Sequence, residues 1–216
     1  DGATGGLYKG TVSVIMGRVK SAKSVLALNI AQNVAAQGKV VYYHMNEGGR
    51  KLAQDRLISC NTGLPYGLIR DSKLLPDQYP IYLDCLKNSS NKNIVLDSVP
   101  PVYSNAAYIE GRIQELLKVR PTIDLIVVDH MGLMSPSNRD HHKLQGWEKL
   151  GIVSIELKSL AMQYQIPMVV ITHVNRRGMS TEDTAFAMED MSGSIEPLKN
   201  VDLIASWRII DEKLFK

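Results

Sequence analysis

Six short apolar runs divide the chain, at residues 11–16 (TVSVIM), 40–44 (VVYYH), 93–96 (NIVL), 125–129 (LIVVD), 167–172 (PMVVIT) and 203–207 (LIASW). Four of them are continuous and rich in Val and Ile, the pattern of strands covered on both faces rather than on one. Longer segments with helical spacing lie between them. Helices are predicted over residues 24–36, 50–58, 106–117 and 147–164, the last being the longest and most clearly periodic. Gly38 falls just past the first helix, where a left-handed cap is expected, and Pro121 closes the third. Strands alternating with helices predict an α/β domain: a mostly parallel, twisted sheet with helices on both faces. Two stretches fit this reading poorly. Residues 62–104 are broken by Pro65, Pro76, Pro80, Pro100 and Pro101, and residues 175–194 read as a long polar loop.

A length of 216 residues supports one substantial core, so residues 1–216 are read as a single domain. Hydrophobic residues at 44% and charged residues at 22% are ordinary for a globular protein. The net charge of +3 permits a polyanionic partner without arguing for one. Cys60 and Cys85 lack any metal-type spacing and read as reduced thiols of a cytoplasmic protein. No apolar run approaches the roughly 18–20 residues that cross a bilayer, and no signal peptide is visible. The chain opens on Asp1 rather than methionine, so the expectation is a part of something larger.

The first strand runs into Gly17-Arg18-Val19-Lys20-Ser21-Ala22-Lys23-Ser24 and then directly into a helix. Strand, tight loop and helix are the context of a phosphate-binding P-loop. Its backbone N–H groups and the helix N-terminus face the phosphates of ATP. Lys23 would reach the β- and γ-phosphates, and the Ser24 hydroxyl would bind Mg²⁺. One residue departs from the motif: Ala22 stands where glycine is usual. A β-carbon costs about 1–2 kcal/mol if that residue must be left-handed. Because Ala22 precedes a helix, a negative φ is expected, and the methyl group should then fit.

The run 123–129 (IDLIVVD) is a hydrophobic strand ending in a carboxylate, the Walker B pattern, at the sheet edge where ligands gather. Asp129 would hold Mg²⁺ through water, opposite Ser24. The second strand ends His44-Met45-Asn46-Glu47, and Glu47 is placed to polarise the water that attacks the γ-phosphate. Asn46 leaves that register open by one residue. The fifth strand ends Thr172-His173, and His173 is a candidate contact to the γ-phosphate. Catalysis is therefore assigned to Glu47, Lys23 and His173. His141 and His142 adjoin in a polar loop and read as solvated.

In their order, these pieces resemble the C-terminal motor domain of DnaB-like replicative helicases: a Gly5-Gly6-Leu7 turn, the P-loop ending in Lys-Ser, VVYYHMNE, a helix with Arg56-Leu57, LIVVDHMGLM, a long helix, VVITHVNR, Ser192-Gly193-Ser194-Ile195-Glu196 and Asp202-Leu203-Ile204. The resemblance covers nearly the whole chain and implies a RecA-like P-loop NTPase core. It matches Glu47 to the catalytic glutamate and His173 to a γ-phosphate sensor. It also implies a homo-hexameric ring on single-stranded DNA, with ATP and Mg²⁺ at subunit interfaces and a primase or helicase loader as a further partner. Arg176, Arg177, Ser192 and Gly193 match segments that face the DNA, although Glu182, Asp183, Glu189 and Asp190 offset the positive charge there. By the same resemblance, an N-terminal domain would precede Asp1, and the last strands with their basic finger would follow Lys216. A RecA- or RadA-type recombinase ATPase, or a degenerate nucleotide-binding scaffold or loader, are the rival readings.

Overall fold

The computed structural model describes residues 6–138, 144, 146–173 and 199–207. Six strands are present among them: β1 (Val12–Gly17), β2 (Val41–Met45), β3 (Ile94–Ser98), β4 (Leu125–Asp129), β5 (Met168–His173) and β6 (Leu203–Trp207). All ladders are parallel and the sheet order is β3-β2-β4-β5-β1-β6. The α-helices are α1 (Lys23–Ala35), α2 (Arg50–Thr62), α3 (Tyr66–Arg70), α4 (Tyr79–Asn88), α5 (Ala106–Val119) and α6 (Gly146–Tyr164).

Side chains alternate across a strand, so each inner strand feeds two cores at once. Val12, Val14, Tyr42, Ile126, Val128 and Val170 turn to one face, where α5 and α6 bring Ile109, Ile113, Val153 and Leu157. Ile15, Val41, Tyr43, Val127, Val169 and Ile171 turn to the other, against Ala27, Leu28 and Ala31 of α1 and Leu57 of α2. The small residues of α1 let it lie close on the sheet. Its glycine cap is as expected: Gly38 has φ +78° and donates its N–H to Ala35.

The proline-broken stretch holds more helix than its pattern predicts. Pro65 immediately precedes α3, and Pro80 occupies the first turn of α4, both positions that need no intrahelical N–H. A separate small cluster of Ile58, Leu64, Ile69 and Cys85 holds these two helices to α2. No helix among the described residues is long and apolar enough to cross a membrane.

The loop before α1 corrects one expectation. Ala22 is not helical: it has φ 60° and ψ 22°, in the left-handed region, as does Lys20 at φ 62°. The chain must reverse tightly between the end of β1 and the first turn of α1, and two left-handed residues make that reversal. Gly17 is required for a different reason, close approach. A β-carbon there would lie 2.4 Å from the Trp207 carbonyl oxygen on β6.

Candidate nucleotide-binding site

The inner strands β2, β4, β5 and β1 are consecutive in the sheet, and each ends at the same edge. At about 4.8 Å between strands, their tips span roughly 15 Å. Glu47 follows β2, Asp129 ends β4, His173 ends β5, and the P-loop follows β1. A cleft of about 420 Å³ opens there, lined by Lys20–Ser24 together with Val19, Glu47, Asp129 and His173. Gly17 and Arg18 stand behind this lining and shape the loop.

Lys23 is buried, and its ammonium donates to the carbonyl oxygens of Gly17, at 2.9 Å, and of Arg18. Burial pushes its pKa down to about 8, against the pull of the Asp129 and Glu47 carboxylates. The ammonium also reaches the Ser21 hydroxyl at 3.4 Å, and a buried cation held by neutral oxygens is poised to exchange them for anionic ones. Ser21 fastens the loop by donating its hydroxyl to Arg18 O at 2.8 Å. From outside, the Trp207 indole donates to Ser21 O at 2.7 Å.

Asp129 is buried, which raises its pKa, while the Ser24 and Tyr43 hydroxyls that bond to it pull the other way. The Tyr43 hydroxyl lies 3.0 Å from Asp129 Oδ2. Ser24 and Asp129 thus offer hard oxygen donors side by side, the chemistry that suits Mg²⁺. Tyr43 was not singled out in the sequence, where it reads as one more apolar strand residue.

Burial separates Asn46 from Glu47 at the end of β2. Asn46 is inside, clasping β2 to β4: its side chain accepts from His130 N at 2.8 Å and donates to His130 O at 3.0 Å. It also donates to the Ser104 hydroxyl, which pairs with His44 at 2.7 Å. Glu47 faces the cleft instead, with 61% of its side chain exposed.

Beside Glu47 stands His130, a residue that sequence reasoning missed. Its Nε2 is 3.2 Å from Glu47 Oε2, and its ring meets that of His173 edge-on with centroids 4.3 Å apart. Burial lowers the pKa of both histidines, so both are neutral near pH 7. The His130–Glu47 contact is therefore a hydrogen bond from a neutral imidazole rather than an ion pair. A histidine directly after a strand-terminal aspartate was the available signal. Arg56, on α2, also lines the cleft. The candidate DNA contacts Arg176, Arg177, Ser192 and Gly193 lie outside the described residues, as do His141 and His142.

A six-stranded parallel sheet with this order, and a Lys-Ser loop and acidic strand tip at its carboxyl edge, defines a RecA-like P-loop domain. The chain belongs to the family described as the DnaB-like helicase C terminal domain, whose model matches residues 1–206. It is 25% identical over 209 residues to the replicative DNA helicase DnaB of Geobacillus stearothermophilus, covering 95% of this chain and 44% of that protein. The replicative DNA helicase DnaC of Bacillus subtilis is equally similar, at 25% over 209 residues. The chain thus spans less than half the length of these relatives. Among solved structures, a DnaB-like replicative helicase studied with primase superposes with TM-score 0.83 at 18% identity, over 98% of this chain and 49% of that one. A second solved structure, of an ATPase domain, gives 0.81 at 19% identity, over 92% of this chain and 70% of that one. The family match favours the helicase reading over the recombinase and scaffold readings.

Proposed function

We propose that this domain is the ATP-hydrolysing motor of a replicative DNA helicase. One observation carries the reading: four adjacent strand ends bring a buried lysine, a Ser–Asp pair, a cleft-facing glutamate and a histidine to one cleft. Lys23 and the loop N–H groups would bind the triphosphate, and Ser24 with Asp129 would hold Mg²⁺, which supplies charge neutralisation on the phosphates when bound. Glu47 is the general base that takes a proton from the attacking water, and His130 orients its carboxylate through the Nε2 contact. His173, at the next strand tip, senses the γ-phosphate and passes its loss to the segment that follows β5. That segment includes Arg176 and Arg177, and with Ser192 and Gly193 it is the proposed contact to single-stranded DNA. The working form is a homo-hexameric ring in the cytoplasm, with ATP between subunits, so that turnover shifts the DNA-facing segments of neighbours relative to one another. Primase or a loader is the proposed protein partner.

Two substitutions test the site. Lys23→Ala should abolish binding of a fluorescent ATP analogue, and unchanged affinity would remove the P-loop reading. Glu47→Gln, in the protein carrying all its domains, should lower kcat about 10²-fold or more while nucleotide affinity stays similar. Full turnover in that variant would end the assignment of Glu47 as base.

A further inference from the structure

Glu47, His130 and His173 reach the cleft from three different strand ends, yet one donor atom from each lies within 4.8 Å of the other two. Glu47 Oε2 is 3.2 Å from His130 Nε2 and 3.8 Å from His173 Nε2. Nitrogen and carboxylate donors sit about 2.0–2.2 Å from a four-coordinate Zn²⁺, which puts neighbouring donors roughly 3.3–3.5 Å apart. The two measured separations fall on either side of that value and the third lies within 4.8 Å, so side-chain rotation can gather the three around a tetrahedral ion. The backbone of His173 is held in the ladder between β1 and β5, and that of His130 by the Asn46 side chain, which bonds both its N–H and its carbonyl.

The donor chemistry separates this trio from the Ser24–Asp129 pair. Hydroxyl and carboxylate oxygens suit Mg²⁺, whereas two imidazoles with one carboxylate suit Zn²⁺ and its neighbours in the first transition row. One cleft thus offers two donor sets of different preference.

We propose that Glu47, His130 and His173 form a second cation site, for Zn²⁺ or a similar divalent transition ion, and that filling it stops hydrolysis. A cation there binds the Glu47 oxygen that would take the proton from water, and it engages the His173 nitrogen that would face the γ-phosphate. The binding half stands on geometry alone; the inhibitory half rests on the proposed role of Glu47. The Nδ1 atoms of both histidines have no hydrogen-bond partner among the described residues.

The test begins without nucleotide. Co²⁺ titrated into the chain should bind one ion per chain, with the visible bands of a four- or five-coordinate nitrogen–oxygen site, and Zn²⁺ should displace it. A background variant combining Cys60→Ser, His141→Ala and His142→Ala, which removes three rival donors, should retain these bands. His130→Ala and His173→Gln should each weaken binding by about tenfold or more, since even loss of an outer partner costs that much. His173→Gln alters a partly exposed strand tip and keeps the test valid if the His130 variant fails to fold. Lys23→Ala should lose nucleotide but keep the cobalt bands, so failure of the P-loop reading and failure of this site are told apart. Absence of stoichiometric Co²⁺ binding, or binding unchanged in both histidine variants, overturns the site. With saturating Mg²⁺ and ATP, Zn²⁺ filling the site should cut turnover about tenfold or more at unchanged nucleotide affinity, and a chelator should restore it. Full turnover with the site filled overturns the inhibitory half.

Discussion

The inner and outer strands of the sheet are built from similar residues but live in different surroundings. Every residue of β1, β2 and β4 is buried, and in β5 only the terminal His173 is not. On the outside, β3 alternates between buried and partly buried positions and ends on the exposed Ser98, and no residue of β6 is fully buried. The division matches the placement of the candidate site. Strands clamped on both faces and both edges hold their tips still, and those tips carry Glu47, Asp129, His173 and the P-loop. The outer strands supply support instead. Asp97 on β3 accepts from Tyr42, at 3.0 Å, and pairs with Arg112 of α5 at 3.2 Å, while β6 braces the P-loop through Trp207.

The same truncation made inside and outside should sharpen this contrast most. Ile126, on β4, is fully buried, whereas Ile204, on β6, is partly exposed. Ile126→Ala should cost about 2–5 kcal/mol in urea unfolding, and Ile204→Ala well under half of that. Equal losses would break the distinction between inner and outer strands.

A polar residue in an inner strand gives the next effect. His44 is buried on β2, and burial lowers its pKa to about 4 although the Asp97 charge raises it somewhat. Tyr42 and Tyr108 also face its ring, and Ser104 bonds to it. The unfolded chain protonates this histidine near pH 6.5 and the fold resists until about 4, so it costs nothing above pH 6.5. Stability is then lost as pH falls from 6.5 toward 4, by about 3 kcal/mol in all. His44→Gln should flatten that window relative to the parent chain in urea titrations at pH 7 and pH 4.5. An unchanged pH profile would remove His44 as the cause.

Ala22 gives the smallest. Its left-handed backbone makes the methyl group a source of strain in the folded loop. Ala22→Gly should raise unfolding free energy by about 1 kcal/mol, the left-handed penalty less the added freedom of glycine. Calorimetric nucleotide affinity should change by less than about tenfold, or 1.4 kcal/mol. A larger gain would show that the methyl group crowds the phosphates.

Strand positions, the four longer helices and the edge that carries the cleft were legible because strands buried on both faces leave continuous apolar runs that few other elements produce. Strand tips in such a sheet converge, so Lys23, Asp129, Glu47 and His173 could be grouped from their positions alone. Helices α3 and α4 were hidden, because Pro65 and Pro80 read as breaks when they in fact stand at helix starts. The small cluster of Ile58, Leu64, Ile69 and Cys85 that secures them is too sparse to impose a period. Ala22 was misjudged because the helix after it was legible and the tight reversal before it was not. His130 escaped notice because one residue past a strand, parity no longer says which way a side chain points.

Strand β1 is the first made of the six, and its two neighbours in the sheet, β5 and β6, are the last. At synthesis rates of about 5–20 residues per second, roughly ten to forty seconds pass between Val12 and Trp207 leaving the ribosome's active centre. Until His173 is made this almost wholly apolar strand has neither of its neighbours to pair with, and until Trp207 is made the loop after it lacks the indole that braces it. The newborn chain is then most exposed to aggregation, and most in need of a chaperone's cover. The fully braced phosphate loop cannot form until the sixth strand has been made and has docked beside the first.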